Sequence, residues 1–220
     1  MTKNSYFYKF YLKKLISIID YGMGNVRSVA NGFELLGHDV QITDDSNVIK
    51  NSDAIVLPGV GAFNDGMQNL QKLGLIEILN EQVIKKKKPY LGICLGLEFL
   101  ATQSYEGGVH KGFGWVDGTV EKICPNQDSL KVPHMGWDDT LIRKNSVLLK
   151  ELLEPSFYYL HSYYLKLNDS EKEFVSSVCD YGGVNIVGSF EKDNIFAVQF
   201  HPEKSQNVGL KLLQNFTEKI

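Results

Sequence analysis

A cysteine set between two glycines is the residue whose sequence context most clearly indicates chemistry. The segment Gly92-Ile93-Cys94-Leu95-Gly96 joins an apolar run, typical of a buried strand, to the start of a helical pattern. A sharp turn of this kind, with glycines on either side, raises its central side chain above the carboxyl edge of a sheet. The helix N-terminus that follows favours a thiolate, so Cys94 is predicted to be a nucleophile. In the alternative interpretation, Cys94 is a small buried residue packed between strand and helix.

A thiolate nucleophile requires a base and a group that orients the base. His201 and Glu203 follow the apolar run Ile195–Phe200, which predicts another buried strand. The carboxyl ends of parallel strands meet at one edge of a sheet, so His201 is expected beside Cys94. Glu203 lies two residues further on, where it can return to the imidazole. Cys94, His201 and Glu203 are therefore predicted to form a catalytic triad.

A glycine-rich turn offers backbone donors for the same site. The segment Pro58-Gly59-Val60-Gly61-Ala62 follows the apolar run Asp53–Leu57, which predicts a strand halted by the proline and glycine. An N–H group of this turn, together with that of Leu95, is predicted to receive the negative oxygen of a tetrahedral intermediate. The alternative is a plain strand-to-helix turn, which glycine and proline also form.

The other histidines and cysteines show no spacing typical of metal ligands. His161 lies in an aromatic run and competes with His201 as a base, but it is interpreted as a hydrogen-bonded core or interface residue. His134 is expected in a loop, and Cys124 and Cys179 are interpreted as structural. Since these spacings are absent, no metal site is predicted. The turn after the first apolar run lacks the third glycine of a dinucleotide fingerprint, so no cofactor is predicted either.

Short apolar runs alternate with amphipathic stretches in the first half of the chain, which predicts a parallel sheet covered on both faces. From about Gly107 onward, glycine-rich turns separate β-rich segments, and an amphipathic helix closes the chain. The sequence therefore predicts one α/β domain at 15–220 with a β-rich second half, preceded by an extension at 1–14. The predicted strands cover 15–20, 39–43, 53–57, 89–93, 119–123, 157–165, 173–178, 184–190 and 195–200. The predicted helices cover 26–36, 75–88, a segment that starts near 95 and a final segment around 208–216.

The composition argues against several classes of function. The 220 residues carry a formal net charge of −3, so the chain lacks the positive field of a nucleic-acid-binding protein. No apolar run approaches the roughly 20 residues needed to span a bilayer, so no membrane role is expected. Three scattered cysteines argue against a disulfide framework and for a reducing compartment, the cytoplasm.

A series of motifs in a fixed order makes the sequence similar to a known family. The motifs IIDYGMGN, LPGVGAF, GICLG, VPHMGW, HSY and QFHPEKSQ resemble those of the class I (triad) glutamine amidotransferases, in particular the glutaminase subunits of imidazole glycerol phosphate synthase. The likeness extends from about Leu15 to the C-terminus. It implies a flavodoxin-like α/β sandwich of three layers with a central, mostly parallel sheet.

The resemblance also implies an activity, the hydrolysis of glutamine to glutamate and ammonia. Cys94 would attack the side-chain amide of glutamine, His201 would transfer protons and Glu203 would hold the histidine. The backbone N–H groups of Val60 and Leu95 would bind the oxyanion.

A partner is implied as well. The ammonia would pass to a (β/α)₈-barrel subunit in a heterodimer, which makes imidazole glycerol phosphate in histidine biosynthesis, and the glutaminase would stay weak until that partner binds its own substrate. Asn25 and Lys204 are the expected interface residues.

Two positions depart from the family's pattern. Glu98 stands where a glutamine commonly helps to seat the substrate, and Asp138 stands where an asparagine commonly follows the tryptophan. Three alternatives therefore stay open: a paralogous subunit that supplies ammonia for acetamidino sugars of surface polysaccharides, a non-catalytic scaffold, and a free-standing cysteine hydrolase.

Overall fold

The computed structural model describes residues 13–127 and 129–220. Most of the predicted extension at 1–14 lies outside this part, and Lys13 and Lys14 lead directly into the first strand. The strands are β1 (Leu15–Ile19), β2 (Asp39–Thr43), β3 (Ala54–Gly59), β4 (Tyr90–Cys94), β5 (Gln103–Ser104), β6 (His110–Lys111), β7 (Gly118–Lys122), β8 (His134–Asp139), β9 (Leu141–Ile142), β10 (Ser156–His161), β11 (Tyr163–Leu167), β12 (Val175–Tyr181), β13 (Val184–Lys192) and β14 (Ile195–Val198).

Six α-helices and three other helical turns accompany these strands in the described residues. The helices are α1 (Val26–Leu35), α2 (Ser46–Asn51), α3 (Phe63–Lys72), α4 (Leu75–Leu79), α5 (Leu95–Glu98) and α6 (Gln206–Thr217), with a π-helical turn at Asn80–Lys85 and 3₁₀ turns at Asp169–Phe174 and Pro202–Lys204. None of these helices is long and apolar enough to cross a membrane.

The central sheet has eight strands in the order β2-β1-β3-β4-β14-β13-β12-β9. The first five are parallel, in the strand order of flavodoxin-like proteins, and the last three add antiparallel pairs. Two small sheets, β10-β8 and β11-β7-β5-β6, complete the β-rich second half. The predicted α/β class with a mostly parallel central sheet is confirmed.

Both faces of the central sheet are buried along its inner parallel strands β1, β3, β4 and β14. Along β3, Ile55 and Leu57 join one apolar cluster, while Ala54 and Val56 join the other. Helices α1 and α6 contribute to the second cluster, and α3 and α4 to the first. Such burial on both faces explains why these strands read as continuous apolar runs in the sequence.

Strand β3 is longer than predicted, because it continues through Pro58 and Gly59. Strand β1 pairs with β3 only as far as Val56. No carbonyl of β1 therefore requires the N–H group that Pro58 lacks, and the proline is tolerated near the end of the strand.

Other segments differ from their predictions because tertiary pairing decides them. His134 lies on β8 and not in a loop, since β8 pairs along its whole length with β10. The predicted strand at 157–165 is divided at Ser162 into β10 and β11, which belong to different sheets. The predicted helix at 75–88 is α-helical only to Leu79, and the helix after Cys94 has four residues.

The turn from β4 into α5 is possible only with glycine at its close contacts. A Cβ atom on Gly96 would lie 1.9 Å from the carbonyl oxygen of Leu57 on β3, far inside van der Waals contact. This contact sets the distance between the Cys94 turn and the end of the neighbouring strand.

Replacing Gly96 by alanine therefore tests whether this turn tolerates a side chain at its close contact with Leu57. We expect Gly96→Ala to lower the free energy of unfolding by more than about 4 kcal/mol, or to prevent folding, because backbone atoms must separate. Gly74→Ala is the control, since Gly74 has a φ of +68° but open space around it, and should cost only about 1–2 kcal/mol. Urea unfolding of the two variants measures the difference, and equal losses would contradict the steric argument.

Candidate active site

Cys94 is the last residue of β4 and lies at the carboxyl edge of the central sheet. Its φ of +53° is unusual for a residue with a side chain, as expected of a sharp strand-to-helix turn. The thiol is buried, and its Sγ lies 3.8 Å from the carbonyl oxygen of Leu160 and 3.8 Å from the amide Nε2 of Gln199. The thiol can donate to Leu160, and Gln199 donates to the sulfur.

Burial raises the pKa of the Cys94 thiol well above its ordinary value, and the nearby carboxyl groups of Glu98 and Glu203 raise it further. Hydrogen bonds from the Leu95 N–H and the Gln199 amide act in the opposite direction. The sequence analysis expected the helix N-terminus to favour a thiolate, and in this structure burial has the larger effect on the pKa of Cys94. Helix α5 is a single turn, too short for its dipole to offset burial.

His201 and Glu203 form a buried pair just beyond β14, the strand that runs parallel beside β4. His201 Nδ1 lies 2.9 Å from Glu203 Oε1, and each side chain is only 2% exposed. The backbone N–H of His201 donates to Tyr158 on β10 at 2.8 Å. Because Nδ1 faces a carboxylate, it carries the proton, and Nε2 is left as the basic lone pair.

His201 Nε2 has no hydrogen-bond partner among the described residues, and neither does the second oxygen of Glu203. The predicted triad members thus lie at the same edge of the central sheet. The His201–Glu203 hydrogen bond is formed there, whereas the Cys94 thiol contacts Leu160 and Gln199 and not His201. A proton transfer from Cys94 to His201 requires a movement that brings the two side chains into contact.

A cavity of about 320 Å³ opens beside Cys94. Its walls come from the turn after β3, from α5, and from the junction of β10 and β11. The lining residues are Val60, Gly61, Cys94, Leu95, Glu98, Glu106, Pro133, Leu160, His161, Ser162 and Tyr163. Of the predicted oxyanion- and substrate-binding residues, only Gly59 does not line the cavity. A Cβ atom there would meet the buried Tyr21 hydroxyl at 2.0 Å, so Gly59 lets the turn approach Tyr21.

Glu98 and Gln199 form a buried polar pair at the base of the cavity. Gln199 Nε2 donates to Glu98 Oε1 at 3.0 Å and also reaches the Cys94 sulfur. Burial raises the pKa of Glu98 from 4.5 to about 8, although the bond from Gln199 lowers it in part. At neutral pH Glu98 is therefore an uncharged carboxylic acid, which can donate a hydrogen bond as a glutamine amide does.

His161, the competing base, is held in a neutral form. Its Nδ1 donates to the carbonyl oxygen of Tyr163 at 2.7 Å, and its Nε2 contacts His134 Nδ1 at 3.2 Å. Burial lowers the pKa of His161 to about 3, so it cannot hold the proton of a thiol at neutral pH. It is a buried, hydrogen-bonded histidine, as interpreted from the sequence, and it also lines the cavity.

Several residues at the site had no clear signal of their own in the sequence. Gln199 lies two positions before His201 in a predicted strand, and its side-chain role follows only from the packing of β14 against β4. Glu106 accepts a hydrogen bond from the Phe63 N–H at 2.7 Å and so ties the start of α3 to the cavity. Gly107 and Gly108 next to it indicated only a turn.

The two predicted interface residues have modest contacts within the chain. Asn25 is exposed, and its side chain accepts from the Ser28 N–H at 3.4 Å, before α1 begins. Lys204 is half-buried, with Nζ 5.6 Å from the centre of the Tyr158 ring. Contact of either residue with a partner stays a prediction.

Comparisons with known proteins agree with this geometry. A family model described as glutamine amidotransferase class-I matches residues 17–220. Imidazole glycerol phosphate synthase subunit HisH 1 of Campylobacter jejuni strain 81-176 is 48% identical over 92% of this chain and 98% of its own. Subunit HisH of Aquifex aeolicus is 45% identical over 92% of this chain and 95% of its own.

Solved structures with lower identity share the fold. PurLQS from Thermotoga maritima has a TM-score of 0.70 at 18% identity and covers 94% of this chain and 99% of its own. The glutaminase domain of Trypanosoma brucei CTPS with bound acivicin has a TM-score of 0.61 at 19% identity, covering 94% of each chain.

The buried acid Glu98 should make stability depend on pH. Its pKa is higher in the folded chain than in the unfolded chain, so its contribution is full below about pH 4.5 and is lost as pH rises through about 8. We expect Glu98→Gln to raise the melting temperature relative to the unmodified chain at pH 9, with a difference that shrinks towards pH 5. Thermal unfolding across this range measures it, with Glu77→Gln on the exposed side of α4 as the control. A Glu98→Gln difference that is constant with pH would contradict the assignment.

Proposed function

This chain belongs to the class-I glutamine amidotransferase family, and we propose that it is the glutaminase subunit of an imidazole glycerol phosphate synthase. It hydrolyses glutamine to glutamate and ammonia, and the ammonia is consumed by a (β/α)₈-barrel cyclase subunit in histidine biosynthesis. The observation that carries this proposal is the position of Cys94 and the buried His201–Glu203 pair at the same sheet edge, with a cavity opening beside Cys94. We expect the reaction to take place in the cytoplasm, where the free cysteines stay reduced.

The first chemical step is the attack of Cys94 on glutamine. The cavity of about 320 Å³ suits one amino acid, with its side-chain amide carbon next to Sγ. His201 Nε2 takes the thiol proton as the S–C bond forms, and Glu203 stabilises the resulting imidazolium. The N–H groups of Leu95 and Val60 would bind the negative oxygen of the tetrahedral intermediate.

The second step completes hydrolysis. His201 returns its proton to the departing nitrogen, so ammonia leaves and a thioester on Cys94 remains. A water molecule then attacks the thioester with His201 as base, which releases glutamate and restores the thiol. Glu98, neutral at pH 7, supports substrate binding as a hydrogen-bond donor, so its replacement of the family's glutamine is compatible with activity.

The arrangement of Cys94 fits an enzyme of low activity on its own. The Cys94 thiol is directed to the Leu160 carbonyl, while His201 Nε2 makes no hydrogen bond within the described residues. Activation requires the thiol to exchange its bond to Leu160 for one to His201. We propose that binding of the barrel subunit favours this exchange.

An exposed patch near His201 suits the proposed partner. Met135 and Trp137 alternate outward along β8 and are 65% and 49% exposed. The ring of Tyr158 lies between Trp137 and the Lys204 ammonium, with a centroid distance of 6.3 Å to Trp137. Exposed aromatic and methionine side chains are typical of protein interfaces.

Cys94→Ser tests the chemistry. We expect glutamate release from glutamine, measured with the cognate barrel subunit present, to fall to background, because the serine hydroxyl is a far weaker nucleophile. A glutamine analogue with an electrophilic carbon should label the unmodified chain at Cys94 and leave the variant unlabelled. Cys124→Ser, which changes an exposed cysteine, serves as the control and should keep full activity. Persistent hydrolysis by Cys94→Ser would remove the mechanism.

Trp137→Ala tests the docking patch. We expect the dissociation constant for the barrel subunit to rise at least about tenfold, because a large aromatic contact is lost. Leu73→Ala is the control, since Leu73 is also exposed but follows the C-terminus of α3, at the opposite edge of the sheet. Calorimetric titration measures both constants, and an unchanged constant for Trp137→Ala would place the partner elsewhere.

A further inference from the structure

A second cluster of polar side chains lies outside the cavity. Ligand atoms of His134, Asp138 and Cys179 all lie within 4.8 Å of one another. His134 and Asp138 are four residues apart on β8, so the alternation of a strand directs both to the same face. Cys179 reaches the same point from β12 of the central sheet. Neither the proposed hydrolysis nor the docking patch uses this convergence.

Hydrogen bonds determine which nitrogen of His134 carries a proton. The Tyr163 carbonyl only accepts, so His161 donates to it through Nδ1 and keeps a lone pair on Nε2. His134 Nδ1 must therefore donate to that lone pair, at 3.2 Å. The remaining lone pair, on His134 Nε2, faces the Asp138 Oδ2 oxygen at 3.1 Å. Two acceptors at this distance require a positive species, a proton or a metal cation, between them.

We propose that His134, Asp138 and Cys179 bind a divalent transition-metal cation, with Zn²⁺ as the best match. Imidazole nitrogen, carboxylate oxygen and thiolate sulfur are the donors that Zn²⁺ takes in proteins, and three protein ligands leave a fourth position for water. The Cys179 thiol is hydrogen-bonded to the Asp138 carboxylate, so its sulfur already lies beside that ligand and a metal cation would take the place of the thiol proton. Asp138 is 35% exposed and provides a path from solvent.

The surroundings of the cluster resemble the outer shell of a metal site. His134 Nδ1 donates to His161, and Asp138 Oδ1 accepts from the Asp139 N–H at 2.8 Å. Such bonds orient ligating histidines and carboxylates. The His134 ring is also stacked between Tyr159 and Tyr181, with centroid distances of 4.7 and 4.0 Å, so its direction is fixed before any ion arrives.

When the metal cation binds, it replaces the proton on the sulfur of Cys179. The Cys179 thiol gives its proton to solvent as the sulfur–metal bond forms, while the carboxylate and the imidazole contribute lone pairs they already hold. The sequence analysis expected no metal site because it considered spacing along the chain, and 41 positions separate Asp138 from Cys179. A cation here would hold His134, and through one hydrogen bond His161, which lines the cavity.

Titration with Co²⁺ tests this site, because a thiolate ligand gives Co²⁺ a sulfur-to-metal charge-transfer band. The Cys94→Ala chain, freed of metal with a chelator, is used as the parent so that the cavity thiol does not contribute. We expect one equivalent of Co²⁺ to produce the band and Zn²⁺ to displace it. Adding Cys179→Ser should abolish the band, and adding Cys124→Ser, the matched control at an exposed thiol, should leave it unchanged.

Asp138→Asn separates loss of the site from loss of the fold. Its amide can donate to His134 Nε2 but supplies no charge, so metal affinity should fall at least tenfold while the metal-free melting temperature is kept. Zn²⁺ should raise the melting temperature of the parent and not of this variant. A parent without the band, a band that survives Cys179→Ser, or an equal Zn²⁺ effect in Asp138→Asn would each overturn the proposal. None of these readouts depends on glutamine hydrolysis.

Discussion

The close contact of the Gly96 backbone with the Leu57 carbonyl is the constraint on which the rest of the site depends. It brings the end of β3 against the turn after β4, so the candidate oxyanion donors of the two loops lie on the same side of Cys94. Strand β14 pairs with β4 on the other side and delivers His201 to the same edge. Three parallel strands thus assemble residues that are more than 140 positions apart in the sequence.

Burial, more than charge pairing, sets the chemical state of the site. The thiol of Cys94, the carboxyl of Glu98 and the imidazole of His161 each have a pKa displaced in the direction that keeps them uncharged. Uncharged side chains beside Cys94 can receive the polar, uncharged side-chain amide of glutamine without first having to separate ions. The thiolate nucleophile must therefore be generated by transfer of the Cys94 proton to His201 once substrate is present. Between turnovers the less reactive thiol form persists.

Much of the parallel half of the fold could be predicted from the sequence. Continuous apolar runs located β1 and β4, the alternation of apolar and polar residues located β2, and the glycines around Cys94 indicated its turn. These features depend on local pattern and steric fit. The state of the thiol could not be predicted, since it depends on how deeply α5 is covered. The Glu98–Gln199 pair, the His134–Asp138–Cys179 cluster and the division of β10 from β11 arise from contacts between distant segments. Such contacts cannot be predicted from a local sequence pattern.

Strand β10 connects features that have been described separately. Its Tyr158 ring lies between Trp137 and Lys204 on the outer surface, its Leu160 carbonyl holds the nucleophilic sulfur, and its last residue, His161, forms part of the cavity. Tyr158 and Leu160 are about 7 Å apart along the extended backbone of β10, which pairs with β8 along its whole length. A shift of the Tyr158 ring at the surface would therefore reach the Leu160 carbonyl, and the Cys94 sulfur that contacts it, through only two residues of backbone.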